Sequence, residues 1–181
     1  MTSSSNISLL RITRPDAQGF AEIKLLYQRA FVAEERREPN DLDILLEHAD
    51  FSFYLINHYS WPAGFLAVWQ FPDFLFIEHM AISEQFRNRK IGAAALEQLS
   101  AMCKLPLVLE SEQPTNDDSA SRLSFYQRQG FQIIDPNYLQ PPYRPDNEPL
   151  PMLLMSNQPF DEQETSMIAA AIKAKAYPSF D

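Results

Sequence analysis

Apolar and polar positions change period several times along this chain. Ile7–Arg14 alternates and predicts a first strand closed by Pro15, whereas Ala17–Ala33 carries Phe20, Ile23, Leu26, Tyr27 and Phe31 at helical spacing. A second helix is expected after Asp41, an N-cap candidate, through Ile44, Leu45 and His48. Phe51–Asn57 and Gly64–Phe71 read as paired strands with His58–Ala63 as their turn. Pro72 and Asp73 then turn the chain into an apolar strand, Phe74–Ile82.

In the second half, Ile91–Met102 predicts a helix that buries Ile91, Ala95, Leu99 and Met102. Leu105–Glu112 reads as a strand and Ser121–Gln129 as a helix, with Gly130 suited to end it in the left-handed conformation. Phe131–Ile134 and Met152–Met155 form an expected final strand pair, joined by a proline-rich loop between Pro136 and Pro151. Beyond Pro159, Asp161, Glu162 and Glu164 open a helix and Lys173 and Lys175 close it, complementing its dipole. Its stripe of Met167, Ile168, Ala171 and Ile172 is expected to pack on the domain or on a second subunit. The order of elements gives an α/β fold with a mixed sheet. Residues 7–158 are expected to form one domain, preceded by a flexible 1–6 and followed by a C-terminal helix and tail, 159–181.

Composition narrows the functional classes. A chain of 181 residues with 45% apolar content and four glycines is large enough for one compact core. The lone Cys103 excludes an intramolecular disulfide and suits a reducing compartment. No secretion signal or membrane-length apolar run is visible, so the expectation is a cytoplasmic protein, monomer or homodimer, without membrane partners. A net charge of −9 disfavours nucleic acid and favours cationic partners such as amines. His48, His58 and His79 lack metal-ligand spacing, so no metal is expected, and without G-x-x-x-x-G-K-[S/T] or G-x-G-x-x-G an NTPase or dinucleotide reading lacks its defining turn.

Against this acidic background one loop is basic. Arg87-Asn88-Arg89-Lys90-Ile91-Gly92 links the strand ending at Ile82 to the helix starting near Ile91. A helix N-terminus offers unpaired amides and about half a positive charge. With three cations beside it, the turn suits a phosphate or pyrophosphate.

That loop, and Phe125-Tyr126-Gln127-Arg128-Gln129-Gly130-Phe131 after one helix and one strand, resemble two motifs of the GCN5-related N-acetyltransferase (GNAT) family. Arg87 and Gly92 match the family's Arg/Gln-x-x-Gly-x-Gly/Ala loop, while Lys90 stands where its first glycine usually lies. The resemblance covers Ile7–Met155. It implies an enzyme that transfers an acetyl group from acetyl-CoA to an amine of a small molecule or peptide. It further implies that Arg87, Asn88, Arg89, Lys90, Ile91 and Gly92 hold the pyrophosphate, and that Met80, Ala81 and Ile82 pair with the pantetheine. Tyr126 would protonate the departing thiolate and also touch the cofactor, and Ser119 occupies the place of a pantetheine-binding asparagine. The alternative implied by Lys90 is a non-catalytic acyl-CoA-binding sensor or assembly domain.

Residue chemistry adds to this. A phenol stays protonated at neutral pH and serves as a general acid, though Tyr126 also fits an ordinary core-capping role. Strict alternation puts Phe76, Glu78, Met80 and Ile82 on one face and Leu75, Ile77, His79 and Ala81 on the other, separating Glu78 from His79. Glu78 then reads as a base with a pKa raised among apolar neighbours, or as the partner of an arginine. Glu34, Glu35, Arg36, Arg37, Glu110, Glu112, Tyr138 and Tyr143 are acceptor-side candidates that read more readily as solvated charges or ordinary surface rings, and Arg122 is expected to meet a phosphate or a glutamate.

Overall fold

The computed structural model describes residues 6–177. The strands are β1 (Ile7–Ile12), β2 (Phe51–His58), β3 (Trp61–Gln70), β4 (Leu75–Ile82), β5 (Leu107–Glu112), β6 (Gln132–Asp135), β7 (Leu139–Gln140) and β8 (Leu150–Ser156). The helices are α1 (Phe20–Ala30), α2 (Asp41–Leu45), α3 (Ile91–Cys103), α4 (Asp117–Arg128) and α5 (Glu162–Ala176). The strands join in the order β1-β2-β3-β4-β5-β8-β6, with β7 paired to β8. The β4–β5 pair is parallel and the others are antiparallel. The mixed α/β sheet expected from the sequence is thus present, and β8 inserts between β5 and β6.

Two apolar layers sandwich this sheet. On one face Phe20, Ile23 and Tyr27 of α1, Leu42 and Leu45 of α2, and Ile168, Ile172 and Ala176 of α5 meet Phe53, Phe65, Trp69 and Phe76. On the other, Ile91, Ala95, Leu96 and Leu99 of α3 and Tyr126 of α4 meet Leu66, Leu75, Ile77 and Leu109. Side chains of such size stabilise a fold by about 1.5–3 kcal/mol each when fully buried. The C-terminal helix therefore packs on its own sheet. Met167, expected in its stripe, is 66% exposed, and Met102 of α3 is 53% exposed, because each lies off the face that touches the sheet.

Several boundaries differ from the periodicity. α1 stops at Ala30, since Phe31 is extended and its carbonyl accepts from Arg36 Nε. Residues 33–35 form a separate 3-10 turn. Asp41 is the first residue of α2 rather than its cap, and that helix has no side-chain cap. The β2–β3 hairpin closes over Tyr59 and Ser60 alone, with Tyr59 at φ 54°. α4 starts four residues early because Asn116 and Ser119 form a capping box, a polar signal that apolar spacing does not carry. β7 turns part of the proline-rich loop into strand. α5 has its own box, between Asp161 and Glu164.

Gly64 marks a close approach within the sheet. A Cβ there would stand 2.4 Å from the Ala81 carbonyl oxygen. Among the described residues no helix is long and apolar enough to cross a membrane. Of the segments expected to be mobile or tail-like, 1–5 and 178–181 lie outside the described residues.

Candidate active site

The parallel pairing of β4 with β5 spans only Leu75↔Leu107, Phe76↔Val108 and Ile77↔Leu109. Beyond Ile77 and Leu109 the two strands continue without pairing to each other, leaving β4 with an unpaired edge. Past this last pair, the first residues on the two strands are Glu78 and Glu110.

A bulge sets the chemistry of β4. On β3, Ala67 pairs with His79 and Val68 with Ile77, so Glu78 is the extra residue opposite neither. The extra residue shifts the alternation. Phe76 and Ala81 face the layer under α1 and α5, while Leu75, Ile77, Met80 and Ile82 face α3 and α4. Glu78 and His79 both point into the α1 layer, and His79 Nδ1 lies 3.8 Å from Glu78 Oε1. The strict alternation that separated them, and that grouped Glu78 with Met80 and Ile82, is thereby corrected.

Glu78 is fully engaged. Its Oε1 accepts from Arg37 Nε at 3.0 Å and from the Tyr143 hydroxyl at 2.9 Å, and its Oε2 from Trp69 Nε1 at 2.6 Å. Burial pushes its pKa up, but Arg37, His79 and the donated hydrogen bonds outweigh this and hold it below the ordinary value. The expectation of a raised pKa is therefore overturned, because the neighbours of Glu78 are donors and a guanidinium rather than apolar groups alone. Glu78 takes the arginine-paired reading instead. Arg37 also donates to the Ala176 carbonyl at the end of α5. His79 bonds through Nε2 to the Glu35 carbonyl at 2.9 Å and packs against Tyr27, Phe31 and Tyr143. Burial lowers its pKa further than Glu78 raises it, so it is neutral at pH 7.

On the opposite face, α3 begins with no side-chain cap and no acidic residue in its first turn. α4 and α5, by contrast, each have a capping box and acids there. The amides opening α3 thus have no side-chain cap and lie beside exposed Arg87, Asn88, Arg89 and Lys90. Lys90 has φ 59° and Asn88 φ 62°, so a lysine adopts the left-handed turn that favours glycine. Arg87 Nε donates to the Ile82 carbonyl at 3.3 Å, and the Arg89 guanidinium lies 5.7 Å from the Phe86 ring centre. A Cβ on Gly92 would stand 2.9 Å from Met80 Cε and 3.3 Å from Phe125 Cζ. Ile91 is buried in the layer beneath. The sequence motifs on β4, α3 and α4 therefore converge.

Tyr126 lies on the α3–α4 face with 8% exposure, and burial pushes its pKa up, so the phenol keeps its proton at neutral pH. Arg122 pairs with Glu112 rather than with a free phosphate site. Ser119 is buried in the cap: its Oγ accepts from the amides of Thr115 and Asn116, at 3.0 and 3.1 Å, and donates to the Asn116 carbonyl. The hydroxyl expected to contact the pantetheine is thus also the one that closes the cap of α4.

Glu110 belongs to a second cluster, on the Glu78 side. Its Oε2 accepts from the Tyr177 hydroxyl at 2.5 Å, which in turn accepts from Gln140 Nε2 at 2.9 Å. Burial, opposed by the Tyr177 and Tyr138 hydroxyls, pushes the Glu110 pKa up to about 7. Tyr138 and Tyr143 are buried, not surface rings. Trp69 and Tyr177 escaped the sequence reading. Trp69 had only its apolar strand context, and Tyr177 followed the end of a helix with no motif around it.

Residues 20–131 match the family model described as the acetyltransferase (GNAT) family. A Bacteroides thetaiotaomicron chain described as an acetyltransferase from that family is 31% identical over 96% of this chain and 99% of its own, with a TM-score of 0.86. Two further solved structures are each 20% identical. One is a GNAT family acetyltransferase from Elizabethkingia anophelis with acetyl-CoA bound, covering 84% of this chain and 98% of its own, TM-score 0.58. The other is Arabidopsis thaliana Naa50 in complex with the bisubstrate analogue CoA-Ac-MVNAL, covering 86% and 99%, TM-score 0.60. At that identity they share the fold. No curated protein matches this chain.

Proposed function

Because the chain belongs to the acetyltransferase (GNAT) family, we propose that it moves an acetyl group from acetyl-CoA to a primary amine of a small molecule or peptide. The observation that carries this reading is the uncapped N-terminus of α3 beside the unpaired edge of β4, with a protonated Tyr126 on the same face. The Elizabethkingia relative holds acetyl-CoA and Naa50 a CoA–peptide conjugate, which supports the same donor here.

In this reading the amides of Ile91 and Gly92 take the pyrophosphate, with Arg87, Asn88, Arg89 and Lys90 supplying charge and hydrogen bonds. The pantetheine lies along Met80, Ala81 and Ile82 as an added strand. A backbone amide of that edge polarises the thioester carbonyl and stabilises the oxyanion of the tetrahedral intermediate. The amine nitrogen attacks the carbonyl carbon and releases a proton to solvent, the carbon–sulfur bond breaks, Tyr126 gives its proton to the thiolate, and solvent returns a proton to the phenolate. We place this work in the cytoplasm, in keeping with an acidic chain bearing one cysteine.

Calorimetric titration with acetyl-CoA and CoA, followed by a thiol-release screen across amines, tests the reading. Binding with amine-dependent thiol release is expected. A second reading, an acyl-CoA-binding sensor, draws on Lys90 in the glycine place and on the locked Glu78. Tight binding without thiol release for any amine would favour it.

A further inference from the structure

In the acetyl-transfer reading the donor lies on the α3–α4 side, so the amine has to reach the thioester from the α1–α5 face of the sheet. On that face the opening between β4 and β5 is bridged by two phenols. Tyr143 donates to Glu78 Oε1 on β4 at 2.9 Å, and Tyr177 donates to Glu110 Oε2 on β5 at 2.5 Å. Glu78 and Glu110 are the first residues past the last β4–β5 pair, and the two rings meet with their centres 5.2 Å apart. Both rings are buried, and Glu110 Oε1 behind them is shielded from solvent. The route an acceptor needs is therefore closed at its inner end.

Both halves of the bridge come from beyond residue 131, where the family match ends, and they are held differently. Tyr143 sits in the loop after β7, under the Arg37 guanidinium at 5.1 Å, and bonds a Glu78 already fixed by Arg37 and Trp69. The next residue, Arg144, ties the same loop to Glu38. Tyr177 instead follows the last residue of α5 and has already left the helical conformation. Lys175 clamps the turn before it, through Asp50 at 2.7 Å and the Gln70 carbonyl at 3.0 Å. Beyond that clamp, the Glu110 bond, the bond from Gln140 Nε2 at 2.9 Å and the Arg37 bond to the Ala176 carbonyl retain the phenol. Helix ends are among the first parts of a fold to open, and this one can open without disturbing a strand.

Resting on the acetyl-transfer reading, we propose that Tyr177 is the specificity-determining strap of the acceptor route: it plugs the β4–β5 opening and yields its place to the incoming amine. Lys175 is the hinge and Tyr143 the fixed wall against which the strap closes. Two consequences follow from this arrangement. A site competent only while the strap is open binds its acceptor more weakly, in proportion to the open fraction. Wider amines need the phenol further aside, so the strap ranks acceptors by girth. Without an acceptor the closed strap keeps water from the thioester, as lids over reactive intermediates do.

The test compares the full-length wild type, Tyr177→Phe and Tyr177→Ala. Thiol release from acetyl-CoA is measured without amine and across primary amines from short linear to branched and aromatic, with acetyl-CoA affinity and thermal melting in parallel. Tyr177→Ala is expected to lower the amine KM by about tenfold, the factor a hydrogen bond to a charged group is worth, and most for the widest amines. It should also release thiol faster in the absence of amine and keep wild-type acetyl-CoA affinity. Tyr177→Phe loses the latch but keeps the ring, so its KM should fall less, with the same ranking by girth. Unchanged or raised amine KM values in folded Tyr177→Ala overturn the strap and leave the transferase reading standing. Should Tyr177→Ala fail to fold, hydrogen exchange of residues 170–177 in wild type decides. Faster exchange with CoA and amine together than with CoA alone supports the strap, and equal or slower exchange overturns it. Absence of thiol release from all three proteins with every amine overturns the transferase reading and the strap with it.

Discussion

Arg37 donates from Nε to Oε1 of Glu78 at 3.0 Å, and both side chains are shut inside the layer that α5 closes. The pair joins the loop after α1, the bulge of β4 and the end of the C-terminal helix. Removing one member of such a pair strands a charge away from water. Glu78→Gln should therefore destabilise the fold by about 3–5 kcal/mol, read as a lower midpoint in urea unfolding. The Glu78 pKa is lowered on folding, so its contribution is present above the ordinary carboxylate range and lost as pH falls through the folded value. The stability difference between wild type and Glu78→Gln should shrink in acid; a variant as stable as wild type at pH 7 would refute the structural role.

Tyr126→Phe removes a hydroxyl but keeps the ring that packs against Phe125 and Phe131. Its melting temperature and acetyl-CoA affinity should stay near wild type, while turnover falls by about a hundredfold. Unchanged turnover would take Tyr126 out of the mechanism.

Gly92 sits where β4, α3 and α4 meet, and the atoms nearest an added Cβ are the far ends of Met80 and Phe125. Gly92→Val must push both aside, toward the space assigned to the pantetheine. Acetyl-CoA affinity should drop by about tenfold or more, the scale of an overpacked site. Titration calorimetry reads the effect, and wild-type affinity would show that the donor lies elsewhere.

Glu110 has a folded pKa of about 7, above the unfolded value of 4.5. Folding then favours the protonated form, and that stabilisation is fully present below pH 4.5 and lost as pH rises through 7. Glu110→Gln has no charge to bury. Relative to wild type it should gain stability between pH 5 and pH 8, by on the order of 1–3 kcal/mol. Parallel melting curves across that range check the sign, and a constant difference would mean the carboxylate does not titrate there.

Much of this molecule was legible one residue after another. Period-two and period-3.6 spacing located β1–β5, α1, α3 and α5, because these elements bury one face and the chain must encode that face locally. The basic turn at 87–92 and the Phe125–Phe131 segment were readable too, since a phosphate turn and a helix end are short-range devices. Tertiary structure alone decided the partners. A single extra residue at position 78 turned Glu78 and His79 to one side, and no alternation rule reveals a bulge that exists only against β3. Arg37, Trp69 and Tyr143 found Glu78 across separations of 41, 9 and 65 residues, and Tyr177 found Glu110 across 67. Ionisation of a buried carboxylate depends on which charges and donors the fold brings within a few ångströms. For that reason Glu78 and Glu110, alike in sequence as strand glutamates, acquired opposite pKa shifts only when the chain closed around them.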